Sequence, residues 1–476
     1  MTFYRIPVEY AYRIHHIRPR FKGNVERVLL FLSDEIRNIP ELPKREYIRR
    51  LNQAIKIFPG NAPKTVKTIN NWRTEISSLF GLIMYDPKND SIAPGEVAKK
   101  LAESQDLVQF FKIFLYTFQY PGGHLKPQET KKYIERDIRF KPAKYILELL
   151  YNTERLNKKR AYINKAEATY CIFNDLRVTA WGRRPNKTME LIVYNREKNL
   201  EYDWAGDKIR YAGDILDYMV YANLLEKNGE KYYLNNAEAK AIAAFVQDNG
   251  WYSGYDQFYG QKISAHDLRD AQNEWFNYVN SIAEGVTFET DVVSLIGIAE
   301  KEILIPKIVT PEAINKMLRK VEEAAVVKTK EIGDKGEGLI YGHECMRLKI
   351  GNRPDLIAKV VCIPNQFSIG FDIRSFELDE QATNRLIEVK TSISNSVIDF
   401  NQFHLTENEW NAAQTHKEKY YVYRLAINRK GITLFVIRDP VGMYKKSLLN
   451  IRLSNGAEVR FSSKSGRYER LLIWKN

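Results

Sequence analysis

The spacing of apolar residues changes once along this chain, near Lys330, and that change limits what it can fold into. Before it, apolar positions recur at three- and four-residue steps, the pattern of helices with one buried face. After it, runs such as Leu386-Ile387-Glu388-Val389-Lys390-Thr391 alternate apolar and charged residues at period two, as a half-buried strand does. The chain has 476 residues, and at roughly 150 residues per domain the expectation is two to four domains. The fold class expected is multidomain α+β, with a largely helical front and an α/β domain with a mixed sheet behind. A content of 44% apolar and 28% charged residues is enough to build cores and excludes a disordered polymer. No run approaches the ~18 apolar residues of a membrane span, and Met1-Thr2-Phe3-Tyr4-Arg5 is not the start of a signal peptide. Three cysteines, Cys171, Cys345 and Cys362, rule out a disulfide framework or a Cys-rich zinc module. The expectation is a soluble cytoplasmic protein of a reducing compartment, with no membrane partner.

Charge divides the chain as sharply as periodicity does. The net charge is +14. Residues 1–200 hold 37 Lys and Arg against 21 Asp and Glu, a balance of +16, whereas residues 201–476 balance at −2. Clustered cations point to a polyanion, above all nucleic acid, whose phosphates they neutralise. A soluble basic protein without such a partner has the same arithmetic.

In the front part, helices are expected from Asn24 to Ser33, Arg45 to Ile57 and about Pro63 to Phe80. A strand Gly81–Tyr85, a turn at Asp86–Asp90 and a returning strand at Ser91 follow. Three helices and a hairpin are the order of a winged helix. The end of this pattern recurs at Asn223–Ile242, in a stretch opening at Asn164, a natural N-cap. The organisation expected is a winged-helix-like unit over 1–105, a helical linker over 106–160, a second unit over 161–250, a helical connector over 251–330 and the α/β domain over 331–476. Two unrelated small α/β units would give the same short match.

The sharpest chemistry lies in the last domain. Glu388 and Lys390 are two apart on a strand and share a face. If Asp372, at the end of the expected strand Ser368–Ile373, lies alongside, two carboxylates and an ammonium converge. Two hard oxygen donors with water suit Mg²⁺, which would activate a water and offset charge on a scissile phosphate. Lys390 would position that water and stabilise the transition state. The charged face of any half-exposed strand offers the same residue types.

The surroundings make the pattern more particular. Gly336-Glu337 with Glu344, Gly370-Phe371-Asp372-Ile373, Ile387–Thr391, Leu405-Thr406-Glu407-Asn408-Glu409-Trp410 and Tyr421-Val422-Tyr423-Arg424 occur in that order. In these pieces the region from about 333 to 438 resembles the PD-(D/E)XK nuclease superfamily, and within it the NO VEIN-type C-terminal domain found in restriction-related proteins. The resemblance covers less than a quarter of the chain. It implies that Asp372 and Glu388 hold metal, that Lys390 is the catalytic lysine and that Glu337 is an added helix-borne carboxylate, with Glu344 a weaker candidate. The proline that often precedes the first Asp is absent, Phe371 standing there. Read from the residues alone, Glu337 and Glu344 are also ordinary helix-start and ion-pairing residues, and Glu409 is the capping-box partner of Thr406.

Candidate DNA contacts are Lys64, Lys67, Asn70, Asn71 and Arg73 on the third helix, since Asn and Arg read base edges and Lys suits phosphates. The solvated face of an ordinary helix has the same composition. In the second unit the expected helix Gly213–Leu225 is poor in cations, and Arg183, Arg184 and Lys187 are the candidates. Trp251–Tyr255 reads as a stacking surface or a hydrophobic hinge. The reading is a type II restriction endonuclease making Mg²⁺-dependent, sequence-specific double-strand cuts, with double-stranded DNA as partner and a homodimer for cutting both strands. The superfamily resemblance implies 5′-phosphate products. The alternatives are an endonuclease that reads 5-methylcytosine, and a DNA-binding protein whose nuclease fold is inactive.

Overall fold

The structure, a computed structural model, describes residues 2–15, 25–58, 64–74, 78–204, 208–288, 295, 335–363, 369–396, 401–453 and 456–472. The chain forms two compact units, one of Met1–Glu103 with Leu107–Thr290 and one of Ser104–Asp106 with Asp291–Asn476. Among the described residues, no helix is long and apolar enough to cross a membrane.

The first unit opens with α1 (Val25–Arg37), β1 (Leu42–Pro43), α2 (Lys44–Ile57), α3 (Val66–Thr74), β2 (Ile83–Asp86), β3 (Ser91–Pro94) and α4 (Glu96–Ser104). Helix α2 forms because Tyr47, Leu51, Ala54 and Ile55 recur at helical steps and are all buried. The three short strands pair antiparallel in the order β1-β3-β2. The third helix is shorter than Pro63–Phe80; Pro63 and residues 75–77 lie outside the described residues.

Helices α5 (Leu107–Thr117), α6 (Pro127–Ile134) and α7 (Pro142–Asn157) follow, the last two each starting at a proline whose missing N–H costs nothing in a first turn. Next come β4 (Tyr162–Asn164), α8 (Lys165–Ala168), α9 (Leu176–Thr179), α10 (Pro185–Glu197), α11 (Lys208–Tyr221), β5 (Leu225–Asn228), β6 (Lys231–Leu234), α12 (Ala239–Gln247) and α13 (Arg269–Gly285). Asn164 does cap α8, with Glu167 returning the bond. Two expectations change here. The helix read as Gly213–Leu225 starts at Lys208 and includes Arg210, so it is not devoid of cations. It ends before Asn223, whose left-handed backbone (φ 59°) breaks it, and Leu225 opens a strand. The helices expected across Ser264–Ala325 are described only as far as α13, the remainder lying outside the described residues.

The second unit contains α14 (Lys335–Ile350), β7 (Val361–Cys362), β8 (Ile373–Phe376), β9 (Asn384–Ile393), β10 (Gln402–Leu405), α15 (Glu407–His416), β11 (Tyr420–Asn428), β12 (Gly431–Arg438), β13 (Leu449–Leu453), β14 (Ala457–Phe461) and β15 (Arg467–Glu469). Six strands form a mixed sheet in the order β15-β12-β11-β9-β8-β7. The β9–β11 pair is parallel, with Glu388 beside Val422 and Lys390 beside Arg424, and the other neighbours are antiparallel. A parallel pair needs a crossover, and β10 with α15 supplies it. Strand β10 also joins β14 and β13 in a second, three-stranded sheet absent from the sequence reading.

The two faces of β9 have different work. Leu386 on one face packs with Trp410 and Ala413 of α15, Phe403 and Leu405 of β10, and Tyr420 and Val422 of β11. On the other, Arg385 and Tyr423 meet Glu344 of α14. The Arg347 guanidinium forks onto Glu344, Arg385 also reaches Glu377, and Tyr423 donates to Glu344 at 2.8 Å. Burial works against the Glu344 charge, but Arg347 and Arg385 outweigh it and hold the carboxyl down at about 2. Glu344 is therefore an ion-pairing residue of the core. Cys345 is a buried thiol pushed up to about 12, while Cys362 is only half-buried.

A depressed carboxyl pKa stabilises the fold above the unfolded value and ceases to do so as pH falls through the folded one. Acid unfolding of the second unit is therefore expected to be steep between pH 4.5 and about 2. Glu344→Gln, which takes the carboxylate partner from Arg347 and one of two from Arg385, is expected to cost ~3–5 kcal/mol in urea unfolding at pH 7 and to flatten that acid dependence.

Candidate active site

Strand β8 begins at Ile373, one residue after the expected site carboxylate, rather than ending there. Gly370 is the cause: its positive φ (84°) is incompatible with strand geometry. A Cβ there would meet the Asn408 carbonyl oxygen at 2.5 Å and the Ala412 Cβ at 2.8 Å, so α15 lies directly against this backbone. The Tyr420 hydroxyl donates to the Gly370 carbonyl at 2.9 Å. The pairing of Ile373 with Ile387 carries on by one residue, and the Asp372 N–H donates to the Ile387 carbonyl at 2.9 Å. Asp372 thus lies across from Glu388, and its Oδ2 accepts the Val389 N–H at 2.7 Å.

Glu388 is 3% exposed. The Lys390 Nζ lies 2.7 Å from Glu388 Oε1 and 2.7 Å from Glu409 Oε2. Helix α15 delivers Glu409 through the capping box, in which Glu409 Oε2 accepts the Thr406 N–H at 3.0 Å and the Glu409 N–H donates to Thr406 Oγ1. The Arg424 guanidinium, buried on β11, donates to the Lys390 carbonyl at 2.9 Å and pins that strand. Asp372, Glu388 and Lys390 are therefore brought together. Glu337 is buried in the first turn of α14, the helix on the opposite face of β9.

Three carboxylates around one ammonium leave an excess of negative charge. Burial pushes the Glu388 carboxyl well above its usual range, and the Asp372 and Glu409 charges add to this against the pull of Lys390. Burial alone would lower Lys390, but Glu388, Glu409 and Asp372 raise it above its usual value, so it stays charged. Burial also disfavours charge on Glu409, yet Lys390 and the bonds from Thr406 hold it below the usual range. This anionic, oxygen-only set fits a hard cation. Among the described residues no three His, Cys, Asp or Glu side chains are grouped to hold a metal on their own. The match is to an ion that takes one or two carboxylates and keeps its waters, as Mg²⁺ does. Asp372 and Glu388 are the carboxylates that could hold such an ion.

Glu409 is the site residue the sequence reading passed over. The signal was present, a Thr-x-x-Glu following the Glu-x-Lys strand, but helix capping accounted for it in full.

The residues read as DNA contacts divide. On α3, Ile69 and Trp72 are buried and Lys67 is exposed; Lys64 is exposed too but precedes the helix, which begins at Val66. Arg73, though, is half-buried and donates to Asn52 at 3.2 Å and to Asn70 at 3.0 Å, so Arg73 and Asn70 serve the α2–α3 packing. Asn71 is partly exposed. Arg183 is anchored, its backbone carbonyl accepting from Tyr145 and its guanidinium 3.6 Å from buried Asp175, and Lys187 pairs with Glu190 at 2.8 Å. Arg184 is exposed and lines two adjoining hollows of ≈ 390 and ≈ 560 Å³. Lys141, Lys144 and Trp251 line the first, and Asn152, Arg155 and Asn186 the second. Neither Arg155 nor Arg184 forms an ion pair among the described residues. In the Trp251–Tyr255 stretch, Tyr252 and Tyr255 are core and Trp251 faces this groove.

Two family models match the chain: "Restriction endonuclease BpuJI - N terminal" over residues 4–276, and "Protein NO VEIN, C-terminal" over residues 352–437. Together they make this a restriction-endonuclease-like protein. The first covers more than half of its length, and the chain belongs to that family, restriction endonuclease BpuJI, N-terminal. Among solved structures it is similar to the BpuJ1 endonuclease binding domain in complex with pyrene- and phenanthrene-modified DNA, at 24% identity and a TM-score of 0.48 over 57% of this chain and 98% of that one. It is also similar to the restriction endonuclease FokI bound to DNA, at 11% identity and a TM-score of 0.24 over 78% and 73%. No curated protein matches.

Because Glu388 is held above its normal pKa, its ionisation opposes folding as pH rises from about 4.5. Metal-free Glu388→Gln is expected to melt higher than the wild type at pH 8 by differential scanning fluorimetry. The gap should narrow as pH falls toward 4.5 and close below it, where the wild-type carboxyl is neutral in both states.

Proposed function

We propose that the protein is a type II restriction endonuclease that binds double-stranded DNA through its first unit and hydrolyses phosphodiesters in its second. The observation that carries this is the cluster of Asp372, Glu388 and Lys390 on adjacent strands, inside a domain matched by the NO VEIN model. The mixed sheet with α14 on one face and α15 on the other is compatible with a PD-(D/E)XK domain. The order α1-β1-α2-α3-β2-β3 supports the winged-helix reading of the first unit, and the family match there supports DNA recognition.

In this reading Asp372 and Glu388 hold Mg²⁺. The ion, when bound, supplies Lewis acidity toward the phosphate and makes its water a better nucleophile. Lys390, fixed at the rim of the same cluster, orients the attacking water and stabilises the charge that builds on the phosphate. Water attacks phosphorus, the 3′ oxygen leaves, and the phosphate remains on the 5′ end. Cutting both strands takes two such centres, and a second copy of the chain would supply the other. On the first unit, Lys67 and Asn71 of α3, Lys64 just before it, and the Arg155–Arg184 groove are surfaces with side chains free to meet DNA.

Lys390→Ala is expected to lower single-turnover cleavage of phage DNA by about 10²–10³-fold while leaving DNA affinity unchanged. Cleavage at the wild-type rate would remove Lys390 from the mechanism. Arg155→Glu with Arg184→Glu is expected to weaken DNA binding at every sequence and to lower the slope of log K against log salt by about 2, one for each lost phosphate contact. Sequencing the ends of cut methylated and unmethylated DNA reads the recognition site directly; no cutting of either by the Mg²⁺-loaded protein would sink the proposal.

A further inference from the structure

We propose that Glu409 is a positioning residue for Lys390, the counterion that lets Glu388 leave the lysine for a metal ion. The inference rests on the nuclease reading above and concerns the one carboxylate of the cluster that this reading does not use. Lys390 Nζ stands 2.7 Å from both Glu388 and Glu409. Glu388 cannot serve a half-buried ammonium and a divalent cation equally: electron density drawn to the metal weakens its hold on the lysine, and the two cations repel. Without another partner Lys390 would become a largely desolvated, uncompensated charge.

Glu409 meets that need because α15 holds it by bonds that do not involve Glu388. Its Oε2 accepts the Thr406 N–H at 3.0 Å, and its own N–H is taken by the Thr406 hydroxyl. Trp410 and Ala413, on the inner side of the same helix, lock α15 onto β9 and β11. The carboxylate therefore stays where it is when Glu388 changes partner, and Lys390 stays with it. Position 409 also separates its two duties by chemistry. Glutamate and glutamine both complete a capping box, but only glutamate offers the ammonium a charge.

The experiment is a double-mutant cycle read by calorimetric titration of the full-length protein with Ca²⁺, a cation of hard oxygen sites. Glu409→Gln is expected to weaken Ca²⁺ binding about tenfold when Lys390 is present, because among the described residues Glu388 is then the one carboxylate left in contact with the lysine. In a Lys390→Met background the same change is expected to cost less than about twofold. Equal weakening in both backgrounds would make Glu409 a metal ligand, and no weakening in either would make it a helix cap; each outcome overturns the proposal. Glu409→Gln should melt within about 2 °C of the wild type, since the cap survives. Thr406→Val removes the hydroxyl but keeps the backbone N–H that holds the Glu409 carboxylate, so it should melt lower yet bind Ca²⁺ as the wild type does, and a matching loss of Ca²⁺ affinity would assign the effect to the cap instead. A wild type that binds no Ca²⁺, or binds it unchanged after Asp372→Asn or Glu388→Gln, would bring down the nuclease reading beneath.

Discussion

An ammonium held between a buried carboxylate and a half-buried one is the interaction around which the second unit is arranged. Lys390 needs β9 to bring it to the same face as Glu388, and it needs α15 to bring Glu409. That geometry presupposes the parallel pairing of β9 with β11, which in turn presupposes the crossover through β10 and α15. The apolar core of Leu386, Trp410, Tyr420 and Val422 holds the crossover down and also dries the cluster. Low local dielectric then makes each charge strongly dependent on its partners. The same packing that folds the domain thus creates the electrostatic tension at its centre.

The opposite face of β9 shows the contrasting solution. Glu344 is as deeply buried as Glu388, but two guanidiniums and a phenol satisfy it, and its carboxyl is depressed rather than raised. Two glutamates at opposite faces of β9 are thus driven in opposite directions by their neighbours. A satisfied ion pair adds rigidity, whereas an under-compensated one has capacity left for a ligand. This difference, more than proximity to a motif, separates the framework carboxylate from the candidate catalytic one.

Some of this was legible in the residues. Period two put Glu388 and Lys390 on one face, and the Thr406 capping box appeared where expected, because both follow from local backbone geometry. Asp372 was placed near them, but the limits of its strand were not, since a left-handed glycine leaves no trace in hydrophobic periodicity. The short strand Gln402–Leu405 alternates polar and apolar residues over only four positions, too few to stand out before its partner β14, over fifty residues away, is known. Arg73 and Asn70 show the limit on the recognition side. Helical periodicity places them on a polar face, and only packing reveals that Arg73 is already engaged by Asn52 of the neighbouring helix and in turn engages Asn70.

Gly370 carries no charge and touches no candidate ligand, yet the distance between α15 and β9 is set against its bare backbone. Any larger residue would wedge the helix outward and pull Glu409 off Lys390 while leaving every acidic residue intact. A homologue with Asp, Glu and Lys preserved but this glycine replaced would keep the alphabet of a nuclease and lose its spelling. Screening relatives for competence by their acidic residues alone would therefore overcount, and the glycine is the position that would tell the two groups apart.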